Sequence, residues 1–363
     1  MREAFSLFGL CMIGVALSAC GARSDLERER RGDEPLAPNP PACLEDGEWT
    51  QVGDLAVPRV GPVLAAIEGG DAIIAGGFDL EPMDSVERYY AASGSFSIIG
   101  NLIAPRSLFA AVTLEDGRVL LTGGYTGAPD GSGAGVKFSE IFDPITNELT
   151  VTSDMPIGRY FHSMATLPTG LVLVVGGFQL DVGVQKAAIY DPNVITWEEI
   201  DAPASVAGGY TQAIANEHGA WILASDGVYD FDGVSFTKMD FEDGDPTFDV
   251  PIATRWRDGF ASIQNDGNIW AFADREVYWT RLWLPSPDVP SPTPSEVLPL
   301  CDAFLVFADR EYRLQFKPSP LEVTSQERQI TETRGVRLDN GQLLIVGGRD
   351  EFGAASSRAE LFR

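Results

Sequence analysis

A short string recurs along this chain and limits what it can fold into: a tight turn, an apolar run, then two glycines. It reads Ile73-Ile74-Ala75-Gly76-Gly77, Leu120-Leu121-Thr122-Gly123-Gly124, Leu173-Val174-Val175-Gly176-Gly177 and finally Leu344-Ile345-Val346-Gly347-Gly348. Recurrence at about fifty residues marks a repeat architecture, in which one unit cannot bury its own apolar face and must stack on its neighbours. Three degenerate copies fill the gap before the last: Trp221-Ile222-Leu223-Ala224-Ser225, Trp270-Ala271-Phe272-Ala273-Asp274 and Leu305-Val306-Phe307-Ala308-Asp309. The last two share the string Phe-Ala-Asp-Arg-Glu, at Phe272–Glu276 and Phe307–Glu311, which reads as a further trace of repetition. The count is seven units, with six as the alternative.

Each unit reads as four strands. The first is an alternating stretch such as Leu108–Leu114, and the second is the apolar run. A turn such as Asp116-Gly117, Asp266-Gly267 or Asn340-Gly341 joins them, because these pairs accept the positive φ of a tight hairpin. The third strand is Ser139–Phe142, Ala187–Tyr190 or Arg358–Phe362, and the fourth is led by an aromatic: Phe96, Trp197 or Phe236. The diglycine lacks side chains and accepts φ values that other residues resist, so it is read as a point of close backbone approach between units. The expected fold is all-β, with no long helical pattern after the first twenty residues.

This pattern resembles the kelch repeat of β-propellers. The likeness rests on the doublets Gly76-Gly77, Gly123-Gly124, Gly176-Gly177 and Gly347-Gly348, on Glu140-x-x-Asp143-Pro144 and on the aromatic Trp197. It also rests on an arginine opening each following unit, at Arg59, Arg106, Arg159 and Arg334, with Arg159-Tyr160-Phe161-His162 matching the family's Arg-x-x-His. It is strong over residues 59–200 and 334–363 and weak over 208–325. It implies a kelch-type β-propeller of seven four-stranded blades over residues 43–363.

The two ends of the chain complete each other. The last unit stops at its third strand, Ala359-Glu360-Leu361-Phe362, and Glu48-Trp49-Thr50-Gln51-Val52 offers the missing fourth. Pairing them closes the ring and leaves no free sheet edge between first and last blades. Closure puts Cys43, just before that strand, and Cys301, in a turn of the neighbouring blade, on the same face. A Cys43–Cys301 disulfide is therefore expected if the chain is exported.

Export is suggested by the first residues. Arg2 precedes the mostly apolar Ala4–Leu17, too short to span a bilayer comfortably, and Leu17-Ser18-Ala19-Cys20 follows. That order resembles the lipobox of bacterial lipoproteins, which implies removal of residues 1–19 and a lipid on Cys20. Gly21 rather than Asp after the cysteine favours the outer membrane. Residues 20–42 carry mixed charge and then Pro35, Pro38, Pro40 and Pro41, with little to pack, and read as a tether spanning roughly 25 Å. The expected address is the bacterial cell envelope, reached through a lipid anchor alone.

Composition narrows the partners. Acidic residues outnumber basic ones 53 to 26, a surface that repels nucleic-acid phosphates and anionic lipid headgroups alike. Only two histidines, His162 and His218, and no Cys-x-x-Cys pair are present, so neither a metal site nor a cofactor is expected. A copper centre of the galactose-oxidase kind needs more histidines than that. The acidic string Asp240–Asp249 lacks EF-hand spacing and reads as a solvated loop, and Pro285–Ser295 as an extended connection. No catalytic residue is assigned.

The expectation is a monomeric binding or scaffolding module for protein or glycan. Its binding candidates are Tyr125 and Asp130 on the longest Gly-rich loop and the arginines Arg59, Arg106, Arg159 and Arg334. The alternatives are a sugar epimerase- or mutarotase-like enzyme with those arginines lining the axis, and a structural component of an envelope assembly.

Overall fold

The computed structural model describes residues 47–127, 134–241, 248 and 330–363, with the strands 252–256, 259–263, 268–273, 276–281, 296–299, 303–307, 310–315 and 322–327 between them. Cys20, Cys43, Cys301, Asp130, Pro285–Ser295 and most of the acidic string 240–249 lie outside the described residues.

The described strands form seven antiparallel sheets, each with a path of four strands. The first blade runs Val63–Ile67, Asp71–Ala75, Ser85–Tyr90, Ser95–Asn101, and the second Ala110–Thr113, Val119–Thr122, Ser139–Asp143, Glu148–Val151. The third runs Tyr160–Thr166, Val172–Gln179, Ala187–Asp191, Thr196–Ile200, with the short strand Val182–Gly183 paired to the end of its second. The innermost strands touch in a cycle. Val63–Ile67 packs on Ala110–Thr113, that on Tyr160–Thr166, then Gln212–Ala215, Ile252–Trp256, Glu296–Pro299 and Arg334–Arg337, which returns to Val63–Ile67. The sheets are therefore blades of a closed ring.

The ends meet as the sequence suggests. Trp49–Gln51 is the fourth strand of the last blade, with Trp49 opposite Phe362 and Gln51 opposite Glu360. Trp49 also reaches the preceding blade. Its indole Nε1 donates to Glu311 Oε1 at 3.0 Å, and its ring lies 5.7 Å, edge-on, from Phe307.

The second strand of each well-described blade explains its apolar run. It is covered on both sides by neighbouring blades, so it does not alternate with polar residues. Instead, alternate side chains serve opposite interfaces. Ile73 and Ala75 pack with Val119, Leu121 and Phe142 of the second blade. Ala72 and Ile74 pack with Leu344, Val346 and Leu361 of the last. The core is thus a series of layers between blades.

One unit departs from expectation. In the fifth blade the second strand is Gly259–Ile263, and Trp270 lies in the third, Asn268–Ala273. Asp266-Gly267 therefore falls between the second and third strands. The shared Phe-Ala-Asp-Arg-Glu string consequently spans a third-to-fourth connection in that blade and a second-to-third connection in the sixth. It is not a repeat equivalence, because a short polar turn flanked by apolar residues suits any antiparallel connection.

The diglycines sit where blades meet. Gly77 N–H donates to the Arg106 carbonyl at 3.3 Å, Gly124 N–H to Arg159 at 2.8 Å, Gly177 N–H to Gly209 at 2.8 Å, and Gly348 N–H to Arg59 at 2.9 Å. The last of these spans the closure between the seventh and first blades. All eight glycines have positive φ, from +56° at Gly76 to +108° at Gly124. A Cβ on Gly76, Gly123 or Gly347 would lie 2.6, 2.5 or 2.4 Å from the carbonyl oxygen of Arg106, Arg159 or Arg59.

Gly117, in a turn at φ +83°, has nothing within 4 Å of where a Cβ would stand and isolates the backbone effect. Gly117→Ala is expected to cost about 1–2 kcal/mol for the left-handed conformation alone. Gly123→Ala adds about 1–3 kcal/mol of overpacking against the next blade. Urea unfolding midpoints of the two variants measure the difference.

Candidate binding face

The repeat arginines are inside the blades. Arg59 and Arg106 are fully buried and Arg159 is 1% exposed. Arg59 Nη2 donates to Glu87 Oε1 at 2.6 Å and to Ser85 Oγ at 2.9 Å, and its Nη1 donates to the Gly76 carbonyl at 2.8 Å. The same Glu87 accepts the N–H groups of Ala56 and Val57, at 2.8 and 3.1 Å. In the second blade Arg106 pairs with Glu140 at 2.6 Å, and Glu140 accepts Ile103 N–H at 2.8 Å. Each Arg–Glu pair therefore ties the loop entering a blade to that blade's third strand. Desolvation lowers the pKa of both arginines, opposed by the charge of their glutamates.

The third blade carries Ala188 where its neighbours have Glu87 and Glu140, two residues before the aromatics Tyr190, Tyr89 and Phe142. Arg159 instead donates to the carbonyls of Gly176, at 3.1 Å, and Lys186, at 3.0 Å. Burial brings its pKa down to about 10, opposed by the charge of Glu199. These three side chains are not available to line an axial ligand site.

Arg334 does not occupy the repeat position. Each arginine is followed by a residue bridged to the one after the diglycine: Val60 with Phe78, Ser107 with Tyr125, and Tyr160 with Phe178. In the last blade this bridge joins Thr331 and Arg349. Ile330 thus fills the arginine slot, and Arg334 lies further on, in the innermost strand Arg334–Arg337. A nearby Arg in a divergent stretch misled the spacing argument.

His162 sits in the innermost strand opposite Gly176 and is 7% exposed. Its ring fills the space that Gly123 leaves, with Cε1 2.6 Å from where a Cβ would stand. Burial, and the charges of Arg159 and Arg106, push its pKa down to about 3. His218 lies in the turn between the first two strands of the fourth blade, on the opposite face, and its side chain is 72% exposed. The two imidazoles do not converge. Among the described residues no group of three His, Cys, Asp or Glu side chains is placed to hold a metal ion.

What the ring does display is aromatic. The loops joining second to third strands, and those joining one blade to the next, share one face. All four exposed aromatics among the described residues stand on it: Phe78 at 36%, Phe161 at 39%, Tyr210 at 39% and Phe352 at 86%. Over the second to fourth blades the rings are continuous. Tyr125 and Tyr160 have centroids 5.8 Å apart, Tyr160 and Phe178 stack at 6.0 Å, and Tyr210 meets Phe178 at 5.0 Å and Phe161 at 5.4 Å, both edge-on. Tyr160 Oη donates to Asp181 Oδ1 at 2.5 Å; burial and that carboxylate push the phenol up to about 12, so it remains a donor.

Of the described residues singled out for binding, Tyr125 alone belongs to this cluster. Phe178 and Asp181 lie in the loop 178–185, one of those the sequence places on the displayed face, whereas Tyr160, Phe161 and Tyr210 were not anticipated. A signal was present: Phe78, Tyr125 and Phe178 each directly follow a diglycine.

No protein-family model matches the chain. A 104-residue stretch is 27% identical to an F-box/kelch-repeat protein of Arabidopsis thaliana, covering 26% of this chain and 29% of that protein's length. Among solved structures, YjhT superposes with a TM-score of 0.54 at 12% identity, covering 85% of this chain and 96% of that one. A fungal alcohol oxidase of the AA5 family, in complex with copper, superposes with a TM-score of 0.61 at 15% identity, covering 87% and 76%. The cyclic array of four-stranded blades and these likenesses define the fold as a kelch-type β-propeller.

Two outcomes test the internal roles. Glu140→Ala leaves Arg106 buried and unpaired and is expected to cost about 3–5 kcal/mol in chemical denaturation. For His162, the folded value of about 3 lies below the ordinary 6.5, so the unfolded chain binds the extra proton between those limits. Stability linked to this group is complete above pH 6.5 and is lost as pH falls towards 3. The stability difference between wild type and His162→Gln should therefore shrink, or reverse, as melting is followed down that range.

Proposed function

We propose that the protein is a binding or scaffolding module that presents the face carrying Tyr125, Phe161, Phe178 and Tyr210 to a protein or glycan. A lipid on Cys20 and a tether through residue 42 would hold it at the bacterial envelope, with the outer membrane favoured by Gly21. The observation that carries this reading is that, among the described residues, the exposed aromatic rings all lie on one face of the ring. Aromatic side chains supply large contact area with few torsions to freeze, and loops on a rigid scaffold are where recognition concentrates. The N-terminal strand enters the last blade from the opposite face, which would leave the aromatic face pointing away from the anchor.

The kelch relative and the two solved folds are consistent with a recognition scaffold, and their fold alone selects no chemistry. The enzyme alternative loses three of the four arginines on which it was built, since Arg59, Arg106 and Arg159 are inside the blades.

The test is a thermal-shift panel of neutral and acidic sugars, glycan fragments and peptides of differing charge, run on the chain and on Tyr210→Ala. A ligand that binds only the folded state raises the midpoint with occupancy. The expected result is a dose-dependent rise that Tyr210→Ala abolishes. Rises that Tyr210→Ala leaves unchanged would move the site elsewhere.

A further inference from the structure

We propose that the aromatic face takes a basic, arginine-bearing segment of a protein partner; this rests on the reading of that face as the binding surface. Three observations converge there. The first is the ring cluster itself, in which Phe161 and Tyr210 each leave 39% of their surface to solvent. A guanidinium lying over an aromatic face within about 6 Å of its centroid is attracted by the ring quadrupole, and its planar shape stacks where a lysine ammonium does not.

The second is charge. The described loops of this face over the second to fourth blades carry exposed Asp154, Asp181 and Asp226 against one exposed Lys137, while Lys186 is already held by Asp201. Asp181 is both hydrogen-bonded to Tyr160 and open to solvent, so its second oxygen can meet a cation beside the rings. The formal net charge of −27 adds a field that draws a basic partner in and turns an acidic one away.

The third is backbone conformation. Phe161 has φ +57°, at the position that the first blade fills with Gly61 at φ +56°. Leu108 and Glu332 share this conformation, at +56° and +54°, so the left-handed turn belongs to the repeat. The third blade is distinct in putting a half-exposed aromatic there, where glycine would sit without strain. Its adjoining hairpin turns on Leu180 and Asp181, at +52° and +59°, again without glycine. Bulky or charged side chains kept at strained positions on an open surface point to a use for the side chain.

This strain supplies a variant that separates binding from folding. Phe161→Gly removes the ring and relieves the backbone, so the fold should melt at the same temperature or higher. The probe is a fluorescein-labelled Arg-Gly repeat peptide titrated by anisotropy against the full chain, alongside matched peptides with Lys or Glu in place of Arg. The Arg peptide should bind several-fold more tightly than the Lys peptide, and the Glu peptide should not bind. Phe161→Gly should weaken the Arg peptide at least tenfold and Asp181→Asn severalfold. Glu68→Gln and Glu148→Gln, on the opposite face, should change nothing.

Equal binding of Arg and Lys peptides, weakened as much by Glu68→Gln and Glu148→Gln as by Asp181→Asn, would overturn the proposal in favour of diffuse attraction to an acidic protein. A neutral sugar or acidic ligand that binds and is lost in Phe161→Gly would keep the face and overturn the cationic partner. Arg-peptide binding indifferent to both Phe161→Gly and Tyr210→Ala would overturn both.

Discussion

The hydrogen bond from the second glycine of each doublet to the carbonyl at the start of the following blade is the contact on which the ring depends. It joins backbone to backbone, at 2.8 Å between Gly124 and Arg159 and 2.9 Å between Gly348 and Arg59. Backbones approach this closely only where no Cβ intervenes, and only glycine adopts the required φ at little cost. The apolar layers between blades then follow: strands held at this spacing bury one set of side chains forward and the alternate set back. Closure uses the same bond as the junctions that follow the first, second and third blades, with Trp49 adding an aromatic anchor across to the sixth blade.

The arginines reinforce that geometry from within. A buried guanidinium offers five donors, and those of Arg59 go to the carbonyls of Val57, Gly76 and Ser85, the Ser85 hydroxyl and the Glu87 carboxylate, which would otherwise be stranded in a dry interface. Glu87 and Glu140 in turn satisfy the N–H groups of the loops entering their blades. The third blade, with Ala188, instead points Arg159 at two carbonyls.

Much of the fold was legible because the signals were local. A diglycine after an apolar run, an Asp-Gly turn before it and an aromatic leading the fourth strand each reflect backbone or packing demands within a few residues. Trp49–Gln51 could be assigned to the last blade because a missing strand and a spare one are complementary. Legibility ended where the glycines did. In the fifth blade, Trp270–Ala273 has the composition of a second strand and the place of a third, since an apolar run reports burial and not its order in the sheet. Arg334 shows the same limit: a residue of the right type near the right spacing is not in register with Arg59, and only the bridge between Thr331 and Arg349 reveals it.

The amino-acid sequence by itself determined the repeat, the blade-to-blade approach points and the pairing of the two chain ends, because each depends on residue types a short distance apart. Tertiary structure alone decided what faces solvent. Arg59, Arg106 and Arg159 read in sequence either as cations at an axis or as ties to neighbouring loops and carbonyls, and the ring makes them internal ties, while Tyr125, Phe161, Phe178 and Tyr210 look like core and are gathered on one face. The physical reason is that a residue's exposure here is set by the neighbouring blade, and the neighbour that covers or uncovers it is some fifty residues away in the chain.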